Sequence, residues 1–344
     1  MTALATPVLS AELDVHRISS LPVVVLSPHN RCNCRCAMCD IWKIRETREL
    51  TVADLRPHLE SFRRLNVRWV VLSGGEAQLH TDLGSLTALL RAEGVRITLL
   101  TAGLLLADGA EKIATTVDDV IVSLDGPREI HDRIRRVPGA FDRLRAGVDA
   151  LRQARPGIAV AGRCTVQKEN LGALRGIVAA ARELGLNSIS FLAADLTSQA
   201  FNRPQAWTPA RRNQVALTRE DVAALAEEIE ALIAENVPGF VQEGPDKLRR
   251  IVHHFRAHLG EVDARAPRCN APWTSTVIEA NGDVRPCFFH PPVGNLRDGP
   301  LMSILNGPTA LSFRAELDIA ANPVCRNCVC SLYWSGDKSI PSRP

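Results

Sequence analysis

The 344-residue chain is 46% hydrophobic and 23% charged, with a formal net charge of +3. These are ordinary globular values, too mildly basic to indicate nucleic-acid binding. Ten cysteines in this length are too sparse for a disulfide scaffold. The N-terminal stretch has no basic n-region, and the first apolar run, 21–26, is too short for a signal h-region or a membrane span. The chain therefore reads as cytoplasmic and not membrane-bound, where clustered thiols bind metal or do chemistry.

In chain order, apolar runs at 23–27, 67–73, 95–101, 119–124, 158–166 and 188–192 predict strands. Amphipathic stretches at 52–65, 83–92, 106–114, 140–154 and 171–184 predict helices between them. The runs 67–72 and 120–124 are nearly continuous in apolar residues, as in parallel strands buried on both faces. Six such βα units build either an open doubly wound sheet or a barrel, with functional residues at the C-terminal strand ends. Beyond residue 195 the rhythm breaks. A polar stretch, 196–216, leads to a capping-box-like Thr218-x-x-Asp221 and a helix to about 234, then a second helix over 246–259. The alternation over 273–289, turning at Asn281-Gly282, predicts a hairpin. This divides the chain into 1–195, a helical connector 196–265, and a cysteine-bearing module 266–344.

Nine of the ten cysteines fall in two groups. In the first, Cys32-x3-Cys36-x2-Cys39 follows directly on a strand, with Cys34 inside the loop. Three thiolates can wrap one metal centre and leave a coordination position open for substrate or cofactor. A zinc knuckle completed by His29 or Cys34 is the alternative. Ser73-Gly74-Gly75-Glu76 follows the second strand and Ser123-Leu124-Asp125-Gly126 the fourth.

Residues 32–39 resemble the cluster loop of the radical S-adenosylmethionine (radical SAM) superfamily, and the two later motifs agree in type and order. The resemblance covers about residues 20–195 and implies an α/β fold, a partial (β/α)6 TIM-like barrel. It further implies a [4Fe–4S] cluster on Cys32, Cys36 and Cys39, with SAM chelating the open iron. Gly74 and Gly75 would let the backbone approach the methionine part of SAM, and Glu76 would accept from its ammonium. Ser123 and Asp125 would face cofactor or substrate, and Arg163 would partner the SAM carboxylate. Met38 stands where the family usually has an aromatic residue near the adenine. Asn170 is expected to cap the helix that follows it.

The second group, Cys269-x17-Cys287 around the hairpin followed by Cys325-x2-Cys328-x-Cys330, resembles the SPASM module in its short twitch form. That likeness implies a second [4Fe–4S] cluster on Cys269, Cys287, Cys325 and Cys328, with Cys330 as the alternative last ligand. A four-cysteine zinc ribbon is the competing reading.

The family chemistry is one-electron cleavage of SAM to a 5′-deoxyadenosyl radical that removes a hydrogen atom from substrate. Cys164 and Cys330, left over from the two clusters, are the candidate hydrogen-atom donors of an epimerase. A dehydrogenase would instead pass the substrate's electron to the second cluster. The short module resembles enzymes acting at a secondary-alcohol carbon of sugars, aminocyclitols or aminoglycosides, so a carbohydrate-like small molecule is expected. A flavodoxin or ferredoxin-type protein is the expected electron donor. With about 20 residues before the first strand, no leader-binding domain is expected, which disfavours a peptide maturase. A zinc-stabilised binding protein without catalysis is the remaining alternative.

Overall fold

The computed structural model describes residues 15–235 and 239–335, so the signal-peptide reading of the first 14 residues lies outside the described residues. All six predicted strands form: β1 (Val23–Leu26), β2 (Trp69–Leu72), β3 (Arg96–Thr101), β4 (Asp119–Ser123), β5 (Ala159–Val166) and β6 (Ser188–Ala193). They pair in parallel in sequence order, as in Val24 opposite Val70 and Leu99 opposite Val120. The architecture is α/β, a partial TIM-like barrel with a C-terminal extension. Val70, Leu72, Ile97, Leu99, Val122 and Val160 are fully buried between strands and helices. Each such side chain contributes about 1.5–3 kcal/mol.

The helices on the outer layer follow local chemistry. The predicted helix 52–65 is split around Pro57 into α1 (Val52–Leu55) and α2 (Leu59–Arg64), with a 3-10 turn between. Thr51 caps α1 in a capping box with Asp54. Next come α3 (Leu83–Ala92) and α4 (Ala110–Thr116), the latter starting four residues later than predicted. The sequence reading passed over α5 (Arg128–Arg135), because among its eight residues only Ile130 and Ile134 are aliphatic. Then follow α6 (Ala140–Ala154) and α7 (Leu174–Glu183). Asn170 does not cap α7. Its amide donates to the Asp125 and Thr165 carbonyls at 2.9 and 3.1 Å.

Past β6 the connector forms α8 (Pro209–Arg212), α9 (Arg219–Glu235) and α10 (Pro245–His258). Between α9 and α10 the backbone runs parallel to β6, with Ile189 N–H donating to Phe240 and Gln242 N–H to Ile189. The predicted hairpin is β7 (Ser275–Ile278) and β8 (Asp283–Arg285), followed by β9 (Gly294–Asn295). It joins the same sheet, because β7 pairs in parallel with β1. β1 leads into the first cysteine loop from its C-terminal end, whereas Cys269 precedes β7 and Cys287 follows β8, beside the N-terminal end of β1. Among the described residues no helix is long and apolar enough to cross a membrane.

Candidate active site

The loop after β1 is laced to the elements around it. Glu76 N–H donates to the Arg31 carbonyl at 2.8 Å, from the turn after β2. Arg35 and Ala37 N–H groups donate to the Arg135 and Ile134 carbonyls at the end of α5. Arg203 donates to the Met38 carbonyl at 2.7 Å. Gly75 makes the close approach possible, since a Cβ there would lie 2.1 Å from the Arg31 carbonyl oxygen.

A cavity of about 970 Å³ opens among the strand ends, with Cys32, Cys36 and Cys39 on its wall. Cys34 turns away and is buried against Ala102, Leu104 and Ala140. Its thiol hydrogen-bonds to Cys32 and Cys36, which pushes its own acidity well down and draws the Cys36 pKa below the usual thiol value. The Arg135 guanidinium lies 3.5 Å from the Cys36 sulfur and adds to that lowering. Burial pushes Cys39 up to about 12. Three soft donors on one wall, one of them biased toward thiolate, suit an iron–sulfur cluster with an open position. Among the described residues no three His, Cys, Asp or Glu side chains converge as on a single metal ion. A four-iron cube, larger than one ion, spans more widely spaced sulfurs.

Met38, Gly74, Gly75, Ser123 and Arg163 all line this cavity. Glu76 does not. It is fully buried, and its oxygens accept from Ala102 N–H at 2.8 Å, Thr101 O–H at 2.9 Å and Gln78 N–H at 3.2 Å. It ties the ends of β2 and β3 together instead of waiting for an ammonium. Asp125 is also fully buried, held 2.6 Å from Arg135 while Thr165 N–H donates to its other oxygen at 2.9 Å.

Cys164 is fully buried in the core, its sulfur 3.5 Å from the Asn170 amide. On β5, Arg163 and Thr165 face the cavity, so the residue between them must face the helices. Cys164, expected as a candidate hydrogen-atom donor, therefore does not reach the cavity.

The second group gathers Cys269, Cys287, Cys325 and Cys328, all partly buried, with Cys330 open to the cavity. Burial, then neighbouring sulfurs, push Cys287 and Cys325 up to about 11. The His290 ring nitrogen lies 3.4 Å from the Cys325 sulfur. Of these thiols, Cys328 and Cys330 reach the shared cavity wall, where Cys330 meets the field of Arg163 and Arg250. Protein surrounds Cys330 closely enough to raise its pKa, although its side chain is open to the cavity.

Several wall residues had no part in the sequence reading. Asp195 follows β6 and pairs with Arg203 at 2.8 Å; the strand-end rule pointed to that position. Arg203 in turn stacks 3.8 Å from the Trp207 ring. Glu243, on the backbone segment beside β6, accepts from Phe191 N–H at 2.9 Å. Nothing in the local pattern marked it as lying at a strand position. Phe201 stacks on Phe288 across the gap between connector and hairpin.

Residues 26–181 match the radical SAM superfamily, and residues 269–329 match the iron–sulfur cluster-binding domain SPASM. Over 154 residues the chain is 32% identical to the Fe-coproporphyrin III synthase of Methanosarcina barkeri, covering 44% of this chain and 38% of that one. The chain thus spans well under half of that relative's length. It is 25% identical over 287 residues to the subtilosin biosynthesis protein AlbA of Bacillus subtilis, covering 81% and 58% of the two chains. The fold superposes on Streptococcus suis SuiB bound to its precursor peptide SuiA with a TM-score of 0.66. That match has 18% identity and covers 94% of this chain and 74% of SuiB. These matches do not show the expected likeness to sugar or aminoglycoside epimerases and dehydrogenases. The radical SAM domain implies SAM and a [4Fe–4S] cluster, and the SPASM domain a further iron–sulfur cluster. The protein joins a radical SAM domain at residues 26–181 to a SPASM domain at residues 269–329.

Proposed function

We propose that the chain is a radical SAM epimerase acting on a substrate enclosed between the two cysteine groups. The observation that carries this reading is that Cys330 shares one cavity wall with Cys32, Cys36 and Cys39. Bound at the first group, the cluster and SAM supply a carbon radical that removes hydrogen from substrate. Arg163, Ser123 and the glycine turn Gly74-Gly75 would hold SAM, with Met38 available to pack beside it. From its place on that lining Cys330 gives its S–H hydrogen to the substrate carbon and is left as a thiyl. An electron from a flavodoxin or ferredoxin-type donor, with a proton, restores the thiol. Cys269, Cys287, Cys325 and Cys328 hold the second cluster. The mixed lining of Ser190, Glu243, Lys247 and Arg250 suits a hydroxyl- and amine-bearing small molecule, with a secondary-alcohol carbon as the reacting centre.

A second reading, dehydrogenation of the same carbon, is favoured by Cys328, which places a ligand of the second cluster on the same wall. The test uses SAM, dithionite and a panel of aminocyclitols, aminoglycosides and short peptides in deuterated water. Epimerisation through Cys330 puts one deuterium at the inverted carbon, and Cys330→Ala stops inversion. A ketone from the wild-type enzyme decides for dehydrogenation. Inversion that persists in Cys330→Ala removes the donor assignment. Turnover of peptides alone moves the substrate class to that named for AlbA and SuiB.

A further inference from the structure

Arg135 is only 8% exposed, yet its guanidinium stands on the wall of the cavity. One nitrogen lies 3.5 Å from the Cys36 sulfur and another 2.6 Å from Asp125, which is wholly buried. Its Nε is buried without a hydrogen-bond partner. The side chain is fixed from behind, because the last carbonyls of α5 accept N–H bonds from Arg35 and Ala37 in the cysteine loop itself. Burial works against this charge, but Asp125 and the sulfurs of Cys36, Cys34 and Cys32 keep the guanidinium protonated.

We propose that Arg135 is a positioning residue that raises the reduction potential of the first cluster, with Asp125 moderating its effect. The inference rests on a cluster being held by Cys32, Cys36 and Cys39. Reduction adds one negative charge to a site of low effective dielectric. A fixed cation in contact with one ligand sulfur favours the reduced state there far more than it would in water. Asp125 anchors the cation and cancels part of its field, so the two residues act with opposite sign.

The test compares the wild-type chain with Arg135→Gln, Arg135→Lys and Asp125→Asn, each reconstituted with iron and sulfide. Reduced clusters are followed by paramagnetic resonance against poised potential, and the first is recognised by its change of signal on adding SAM. Arg135→Gln should lower its reduced-to-oxidised ratio about tenfold at fixed poise, about 59 mV for one electron. Arg135→Lys should keep most of the wild-type value, Asp125→Asn should move it upward, and the second cluster should not shift. An unchanged first-cluster potential in Arg135→Gln at full iron content overturns the proposal. If that variant fails to hold the cluster, a downward or absent shift in Asp125→Asn overturns it instead. A wild-type chain that takes up iron only at the second group sinks the cluster assignment itself, a separate result.

Discussion

The two cysteine groups hold the same kind of donor in opposite settings. The first lies over the middle of the barrel rim and is braced from several sides: by the turn after β2, by the end of α5, and by the connector through Arg203. Two buried carboxylate–guanidinium pairs, Asp125–Arg135 and Asp195–Arg203, flank it. The second flanks the start of β7 and the end of β8, toward one side of the sheet, with four partly buried thiols and Cys330 open to the cavity. A centre that must aim a reactive species needs a fixed surround, whereas a closed four-thiolate cluster largely organises its own loop.

Removing one ligand from each group probes the contrast most strongly. Cys36→Ser should abolish SAM cleavage and lower iron from about 8 to about 4 per chain, as for the loss of one four-iron cluster. Cys325→Ser should lose a similar amount of iron while 5′-deoxyadenosine still forms without product turnover. Iron assay and chromatography of the nucleoside decide it. Retained SAM cleavage in Cys36→Ser would mean the two groups have been assigned the wrong way round.

Glycine replacements make the comparison at the level of backbone. Gly75→Ala forces a contact with the Arg31 carbonyl, so the loop must move, and SAM cleavage should fall at least about tenfold. Gly282→Ala places a side chain at φ +88° in the hairpin turn. It should cost about 1–3 kcal/mol in denaturant unfolding and leave SAM cleavage within about twofold. Equal catalytic losses in both would show that the hairpin is as tightly coupled to the reaction as the first loop.

Acid should weaken the fold beneath the first group. His131 is fully buried and accepts from Asp125 N–H at 3.2 Å. Burial, then Arg135, lower its pKa from 6.5 to about 3. The unfolded chain therefore binds a proton that the folded chain refuses. This residue's contribution is full above pH 6.5 and is lost as pH falls toward 3. Going from pH 7.5 to 5.5 should cost about 1.4 kcal/mol from this residue. His131→Asn should flatten that slope in urea unfolding of the cluster-free protein.

The smallest effect belongs to Cys164. Cys164→Ala should cost about 1 kcal/mol by leaving a small void, and any inversion activity should persist, unlike in Cys330→Ala. Loss of inversion in Cys164→Ala would return that thiol to the reaction.

Much of the fold was legible because burial on both faces leaves continuous apolar runs, as in β2 and β4. Periodicity marked α3 and α6 to the residue. It missed α5, whose polar sequence is held by its neighbours, and with it Arg135. Asp195 was within reach of the strand-end rule, but Glu243 reaches the cavity only because a backbone segment outside any predicted strand lies against β6.

The spacing of nine cysteines and the two glycine-bearing turns by themselves settled which cofactor chemistry the chain resembles, since ligand spacing and close backbone approach are local properties. Which side chains meet was decided by the tertiary structure. The pleat of β5 sends Arg163 inward and Cys164 outward, and buried donors take up Glu76. The path of the chain beyond the hairpin carries Cys330 to the cavity of the first cysteine loop. These are matters of facing and of contacts distant in sequence, which the spacing of residues along the chain does not contain.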